Sequence, residues 1–294
     1  MSGKLKVALA LGHFDGVHKG HAKVIKECVK LARESGLTSV ALTFDGDLKG
    51  YLSHSKYSLV DTGLERETKL KALGIDTVCH LKVDDSTLSM SKEQFLQSLV
   101  ERFDIKVFVC GVDFKFGKNA LGTVDYLKEF ALKIGATVCV VEPENHLGEK
   151  ISTTTIKTLL SNGEIEGANA LLGLPYKLGG KVVDGRRIGR KMGFPTANII
   201  VDKEKTPLKK GVYFGLIELD KTYRAIINYG ARPSFNLYDT VMEVHIIDFN
   251  GDLYGKEITV SFIKYLRDTK KFNNKEELSI QLEKDLEIAK GIKL

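Results

Sequence analysis

V-A-L-A-L-G-H-F-D-G-V-H-K-G-H, residues 7 to 21, begins with an apolar run, Val7 to Leu11, that stops at Gly12. Asp15-Gly16 signals a tight turn, and His18 and His21 follow with Gly20 between them. From Ala22 to Glu34, Val24, Ile25, Cys28, Leu31 and Ala32 recur at helical spacing. The pattern predicts strand, glycine-rich turn, helix. In an open α/β sheet that turn lies at the carboxyl ends of the strands, where ligands bind. A helix N-terminus there offers N–H groups and a positive dipole end to an anion, and two imidazoles can donate to phosphate oxygens. A bare H-x-x-H is more often a surface or mutually satisfied pair. A zinc reading lacks further ligands at close spacing.

The 294 residues suffice for two domains. Hydrophobic residues at 43% and charged ones at 28% describe an ordinary globular chain. The net charge of +6, 44 Lys and Arg against 38 Asp and Glu, does not argue for a dedicated nucleic-acid binder. A local cluster, Arg186, Arg187, Arg190 and Lys191, suits the phosphates of a nucleotide or a polymer. Cys28, Cys79, Cys110 and Cys139 form no C-x-x-C and lie in apolar segments, which predicts buried free thiols in a reducing compartment. The first apolar run is too short for a signal-peptide core, and nothing approaches a membrane span. The expectation is a cytoplasmic protein without nucleic-acid or membrane partners.

Strand-like and helix-like stretches alternate through the first part. Val40 to Phe44, Val78 to Val83, Lys106 to Cys110 and Thr137 to Val141 read as strands. Glu65 to Leu73, Ser91 to Phe103 and Val124 to Ile134 read as helices, the second with Ser91 as cap and Gln94 three residues on. Near-continuous apolar strands between helices predict a parallel sheet covered on both faces. G-V-D-F-K-F-G-K-N, residues 111 to 119, is a glycine-bounded loop. K-I-S-T-T-T-I-K, residues 150 to 157, leads into a helix-like stretch to Leu160. Its hydroxyls are first of all caps, and the functional alternative is a phosphate held at that helix start.

From Tyr176 the period changes to two, in Val212 to Leu219, Tyr223 to Asn228, Val241 to Phe249 and Ile258 to Ile263. Asn250-Gly251 predicts a hairpin between the last two. The pattern predicts an antiparallel domain small enough to close as a barrel. Glu276 to Lys290 reads as one amphipathic helix capped by Asn274. The boundary between the two parts falls near Leu172 to Leu178. Within the second part, residues 185 to 198 read G-R-R-I-G-R-K-M-G-F-P-T-A-N. On an extended strand Thr196 and Asn198 face the same way, and a hydroxyl beside an amide carbonyl suits Mg²⁺. A surface loop with a Pro-Thr turn is an even alternative on these residues alone.

The string G-H-F-D-G-V-H-K-G-H resembles the H-x-G-H signature of nucleotidyltransferases, in the form G-x-F-D-G-V-H-x-G-H typical of bacterial FAD synthetases. G-R-K-M-G-F-P-T-A-N resembles the G-R-x-x-G-F-P-T-A-N signature of riboflavin kinases. N-Y-G-A-R-P-S-F at 228–235, M-E-V-H-I-I-D-F at 242–249, D-L-Y-G at 252–255 and Y-L-R-D-T-K-K-F at 265–272 are similar to that family's further motifs. Together they span Gly12 to Phe272, so the chain resembles the bifunctional riboflavin kinase/FMN adenylyltransferases. The resemblance implies an α/β nucleotidyltransferase-like Rossmann domain with a parallel sheet, residues 1–175. It implies a small six-stranded antiparallel riboflavin-kinase barrel with a C-terminal helix, residues 176–294.

It further implies ATP as co-substrate, Mg²⁺, and riboflavin, FMN and FAD as substrates and products. In the kinase domain Thr196 and Asn198 would hold Mg²⁺ and phosphates, and Glu243 would accept the hydroxyl proton. Arg190 and Gly193 would belong to a phosphate-covering loop. In the first domain His18 and His21 would stabilise the phosphates, within a nucleotide loop that includes Gly12, Phe14, Asp15 and Gly20. Thr153, Thr154 and Lys157 would close on the same phosphates, and Asp113 would face the nucleotide. Three departures fall in this domain. T-F-D-G-D-L-K-G at 43–50 stands where the family has T-F-x-P-H-P, Lys157 replaces its arginine, and His13 stands where asparagine is common. A riboflavin kinase with a vestigial flavin- or nucleotide-binding first domain is one alternative. A flavin-dependent regulator using the basic cluster is another, but the long basic stripe expected of it is absent.

Overall fold

A computed structural model describes residues 3–46, 48–53, 58–184, 194–231 and 240–293. The chain packs as two compact units, Met1–Thr153 and Thr154–Leu294.

The first unit runs β1 (Lys6–Leu11), α1 (Lys19–Glu34), β2 (Thr38–Asp45), α2 (Leu48–Ser53), α3 (Gly63–Ala72), β3 (Thr77–Lys82), α4 (Asp85–Leu88), α5 (Lys92–Arg102), β4 (Asp104–Gly111), α6 (Val124–Lys133) and β5 (Thr137–Val141), then a two-residue pair, β6 (Asn145–His146) with β7 (Glu149–Lys150). The five long strands form a parallel sheet in the order β3-β2-β1-β4-β5. Side chains of β1 alternate between two apolar layers. Val7, Leu9 and Leu11 join Phe95, Leu96 and Leu99 of α5 and Leu127 of α6, while Ala8 and Ala10 join Val24, Ile25 and Cys28 of α1 and Leu70 of α3. Burial on both faces explains why β1 reads as an unbroken apolar run. The sheet grows from β1 toward β3, and the chain then returns to place β4 on the other side of β1. The crevice beyond Leu11 and Gly111 is therefore the topological switch point, where ligands bind in such sheets.

The second unit opens with α7 (Thr153–Asn162), whose first residue ends the first unit, and α8 (Ile165–Leu172). There follow β8 (Tyr176–Val183), β9 (Ala197–Ile200), β10 (Gly211–Glu218), β11 (Thr222–Ala231), β12 (Thr240–Ile246), β13 (Glu257–Arg267) and α9 (Lys275–Gly291). The six strands close an antiparallel barrel in the order β10-β11-β12-β9-β8-β13. Tyr213 and Phe262 are fully buried and meet edge to face at 5.2 Å. Val212, Phe214 and Ile226 pack with Leu286 and Ala289 of α9 on the barrel's outside. Asn274 caps α9 by accepting the Glu277 amide at 2.8 Å, and Arg224 Nη1 closes its other end on the carbonyls of Ala289 and Lys290. Helix α8 packs on β13 and β8, and the Asn169 side chain donates to Phe262 O at 2.8 Å and accepts from Tyr176 N at 2.7 Å.

Three expectations need correction. Asn250-Gly251 does not join a hairpin, because β12 lies between β11 and β9 while β13 lies between β10 and β8. After the turn the chain runs to the end of β8, where Gly255 N donates to Val182 O and Val182 N to Lys256 O. The turn signal is real, but local chemistry cannot say which strand comes next in space. Helix α1 begins at Lys19, three residues earlier than Ala22, because His18 itself is the cap. All four cysteines are free, but only Cys28 and Cys110 are buried, with burial pushing both thiols up to about 12; Cys79 and Cys139 are half-buried.

Candidate active sites

At the switch point the loop from Gly12 to His18 is tight and strained. Phe14 (φ 53°) and Val17 (φ 37°) are left-handed, costly for any residue with a Cβ and most so for a β-branched one, and such strain gathers at functional sites. The Phe14 ring turns back over Gly12, where a Cβ would meet it at 2.7 Å, and its edge meets His21 at 5.4 Å. Phe14 is buried, so it and Gly12 shape the loop behind His21.

His18 caps α1 through Nδ1, which accepts the His21 amide at 3.2 Å. The neutral ring therefore carries its proton on Nε2, a donor. The rings of His18 and His21 stack at 3.6 Å. A Cβ on Gly20 would come within 3.1 Å of the His18 ring, which accounts for the glycine between them. Burial lowers the His18 pKa to about 4. Burial, then the repulsion a second proton would meet beside His18, His13, Arg66 and Lys150, holds His21 well below the usual range. Both imidazoles are neutral at pH 7.

The carboxylate of Asp15 is buried, its Oδ1 accepting from Val60 N at 2.8 Å and Asp61 N at 3.1 Å, so it fastens the loop to the start of the α3 segment. Thr153 Oγ1 donates to Asp15 O at 3.1 Å. Asp113, just beyond β4, is exposed and bonded to Lys150, whose ammonium holds its carboxyl below the ordinary value. Glu144 pairs with Lys23 at 3.5 Å. His18, His21, Asp15, Gly20 and Thr153 thus gather around one loop. Asp113 follows the strand beside it, on the other side of the switch point.

Sequence reasoning missed one residue here. Arg66 of α3 is fully buried. Its Nη1 donates to His13 O at 2.9 Å and Thr43 Oγ1 at 3.1 Å, and Thr43 Oγ1 donates to His13 O at 2.6 Å. In E-R-E-T-K-L the arginine looks like one charge among several on a solvated helix face. Only its spacing of four from the buried Leu70 could have marked it.

In the second unit, α7 carries Thr154, exposed, and Lys157, half-buried, within its first two turns. In the barrel, Asn198 of β9 stands opposite Glu243 of β12, which stands opposite Asn228 of β11. Cross-strand partners point to one face. That face also carries Arg224 and Ile226, which meet α9, so the polar row runs on the barrel's outside. Asn228 Nδ2 donates to Glu243 Oε2 at 3.3 Å. Asn198 is 5% exposed, and its Oδ1 has no hydrogen-bond partner among the described residues. A buried acceptor left open in this way needs explaining, and an ion is one explanation.

Two residues beyond Glu243, His245 holds Pro195 O through Nδ1 at 2.9 Å, and its ring meets Phe194 at 5.5 Å. It thereby fixes the backbone just before Thr196. Thr196 immediately precedes β9 and lines a cavity of about 490 Å³ with Pro195, Ala197, Phe249, Asp252 and Tyr254; Asn198 does not line it. Arg190, Gly193 and the remaining basic cluster lie outside the described residues. The roles of Asn228 and His245 escaped sequence reasoning because both depend on pairing between distant strands.

The family model described as FAD synthetase matches residues 2–155, and that described as riboflavin kinase matches residues 172–293. A bifunctional riboflavin kinase/FMN adenylyltransferase of Bacillus subtilis is 34% identical over 287 residues, 95% of this chain and 90% of that protein. One of Buchnera aphidicola subsp. Schizaphis graminum is 33% identical over 290 residues, 96% and 93% of the two chains. A crystal structure described as a macrolide-efflux protein from Streptococcus pneumoniae superposes with a TM-score of 0.90 at 30% identity, covering 99% of this chain and 96% of that one. Among the described residues no helix is long and apolar enough to cross a membrane. Matched by both domain models and by full-length relatives, the chain belongs to the bifunctional riboflavin kinase/FMN adenylyltransferase family.

Proposed function

We propose that the polar row on the barrel and the histidine-capped loop of the parallel sheet are the two active sites with which this chain makes FAD from riboflavin. The activities are ATP-dependent phosphorylation of riboflavin to FMN, and adenylylation of FMN by a second ATP with release of pyrophosphate. A first domain that only binds a flavin or nucleotide is not favoured, since the FAD synthetase match covers that domain and the relatives are bifunctional along their length.

The observation that carries the kinase reading is the register of Asn198 with Glu243. In this reading Glu243 takes the proton from the 5′-hydroxyl of riboflavin as that oxygen attacks the γ-phosphate of ATP, and the hydrogen bond from Asn228 orients the carboxylate. The open Oδ1 of Asn198 and the hydroxyl of Thr196 are hard oxygen donors of the kind Mg²⁺ takes, with substrate phosphates completing its shell. When bound, the ion would neutralise charge on the phosphates. His245 keeps the P-T-A-N segment in place through Pro195. Arg190 and Gly193 belong to this site by resemblance.

In the adenylyltransferase, the Nε2–H of His18 is the donor available to phosphate oxygens, with His21 stacked behind it and Gly12, Phe14, Asp15 and Gly20 fixing the loop. Donors set in advance around developing charge are the main source of catalysis in such transfers. Thr153, Thr154, Lys157 and Asp113 belong to this activity by resemblance, Asp113 on the nucleotide side with Lys150 bonded to it. The division at residue 175 and a cytoplasmic location belong to the same reading, the latter supported by four free thiols. Incubation with riboflavin, ATP and Mg²⁺ should give FMN and then FAD, and incubation with FMN and ATP should give FAD and pyrophosphate. FMN without FAD would sink the adenylyltransferase half.

A further inference from the structure

The fixed positive charge of the first site must come from somewhere other than its histidines. His18 and His21 are neutral at pH 7, so they donate hydrogen bonds without a full charge. Arg66 is the buried cation that acts on His21, and its guanidinium is only half used. Nη1 spends both hydrogens on two neutral oxygens, His13 O and Thr43 Oγ1. Nε and Nη2, which form the opposite edge of the plane, are buried and have no partner among the described residues. Neither Asp61 nor Asp15 hydrogen-bonds that edge of the guanidinium, and both hold other partners. Asp61 is bonded to Lys69 at 2.7 and 2.8 Å, and Asp15 Oδ1 accepts two backbone amides. A buried charge with two idle donors is costly, and a guanidinium edge with two parallel N–H groups matches two oxygens of one phosphate. An ammonium such as Lys157 offers no such fork.

We infer that Arg66 is an anion-binding residue of the adenylyltransferase site, its Nε and Nη2 edge taking a phosphate of the nucleotide polyphosphate and of the pyrophosphate released from it. Thr43 and His13, both in stretches that depart from the family pattern, serve in this arrangement as the clamp that aims the guanidinium. The inference rests on the reading of this unit as an FMN adenylyltransferase. The competing role is purely structural, with Arg66 balancing the charge of Asp15, Asp61 and Asp45, which act on it electrostatically.

The test uses the full chain and inorganic pyrophosphate. In uniformly ¹⁵N-labelled protein the Arg66 Nε–H resonance is identified by its absence in Arg66→Lys. It should shift on addition of pyrophosphate and saturate. In the reverse reaction, FAD plus pyrophosphate to FMN plus ATP, Arg66→Lys should raise the KM for pyrophosphate by about tenfold or more, with a smaller effect on kcat. Thermal melting of the variant shows whether it folds. If it does not, the Nε–H resonance is assigned instead by side-chain-to-backbone correlation in ¹³C,¹⁵N-labelled wild type, and its response to pyrophosphate decides alone. A resonance unmoved at a pyrophosphate concentration that saturates the wild-type reverse reaction overturns the proposal and leaves Arg66 structural. No turnover of FAD by the wild type in either direction would instead overturn the reading on which it rests.

Discussion

Asn198 and Glu243 face each other as paired residues on β9 and β12, forty-five positions apart in sequence and adjacent on the barrel's outer face. One offers an open amide oxygen and the other a carboxylate, side by side. Because Asn198 Oδ1 makes no hydrogen bond to the described residues, Asn198→Ala breaks none there. FMN formation should fall by about 10²-fold or more while the melting temperature stays within a few degrees of wild type. Assay and melting of the same preparation check both halves, and wild-type turnover would remove Asn198 from the site.

Glu243→Gln keeps the shape of the carboxylate and removes its capacity to take a proton. The kcat for FMN formation should drop by about 10²- to 10⁴-fold with little change in the KM for riboflavin. A raised KM with intact kcat would make Glu243 a binding residue only.

Lys157→Ala should slow FAD formation from FMN by about 10²- to 10³-fold, the scale for one charged donor to the transferring phosphate. Lys157→Arg, which restores the two-pronged donor, should match or exceed wild type. Equal rates in all three proteins would reduce Lys157 to a solvated helix residue.

Acid should unfasten the first site. The His18 pKa is near 4 in the folded chain against 6.5 unfolded, so between those values the unfolded chain binds more protons. The stabilisation is fully present above pH 6.5 and is lost as the pH falls through 4, amounting to roughly 3 kcal/mol for His18 alone. Denaturant melts at pH 7 and pH 4.5 should differ in this direction, less so in His18→Asn, which keeps a capping oxygen. Imidazole ¹⁵N shifts should show His18 neutral and protonated on Nε2 down to about pH 5.

Residues 176–294 should fold and convert riboflavin to FMN without making FAD, and residues 154–294 should do the same with a higher melting temperature. The difference lies in α8, where Asn169 joins Tyr176 N to Phe262 O. Asn169→Ala in the full chain should cost about 1–3 kcal/mol, because it leaves a half-buried backbone amide without its partner. No difference between the two fragments would mean that α8 contributes nothing to the barrel.

The parallel sheet was legible because its signal is local. Val7 to Leu11 is apolar on both faces since helices cover both, and the glycine that ends it marks the crevice. The histidine pair was legible as a motif, but its chemistry was not. Whether His18 accepts or donates at Nδ1 depends on which residue caps α1, and that changes with a shift of three positions in the helix start. The barrel's composition was legible while its strand order was not, because Asn250-Gly251 looks the same whether the chain reverses or crosses to another strand. Arg66 was hidden by its own charge, which pattern reading assigns to solvent. What buries it is a carbonyl and a hydroxyl, His13 and Thr43, far from it in sequence.

The strand order of the barrel also sets a timetable. The five parallel strands are all present once residue 141 has been made, and each pairs with a neighbour built from local strand–helix units. The barrel has no such early form. Its first strand, β8, needs its last, β13, and until residue 267 leaves the ribosome both β8 and β10 keep an open edge. A chain arrested just short of β13 would thus carry a finished sheet and an unsealed barrel with two exposed strand edges. Nascent-chain aggregation should then peak in that narrow window of lengths and vanish once β13 emerges.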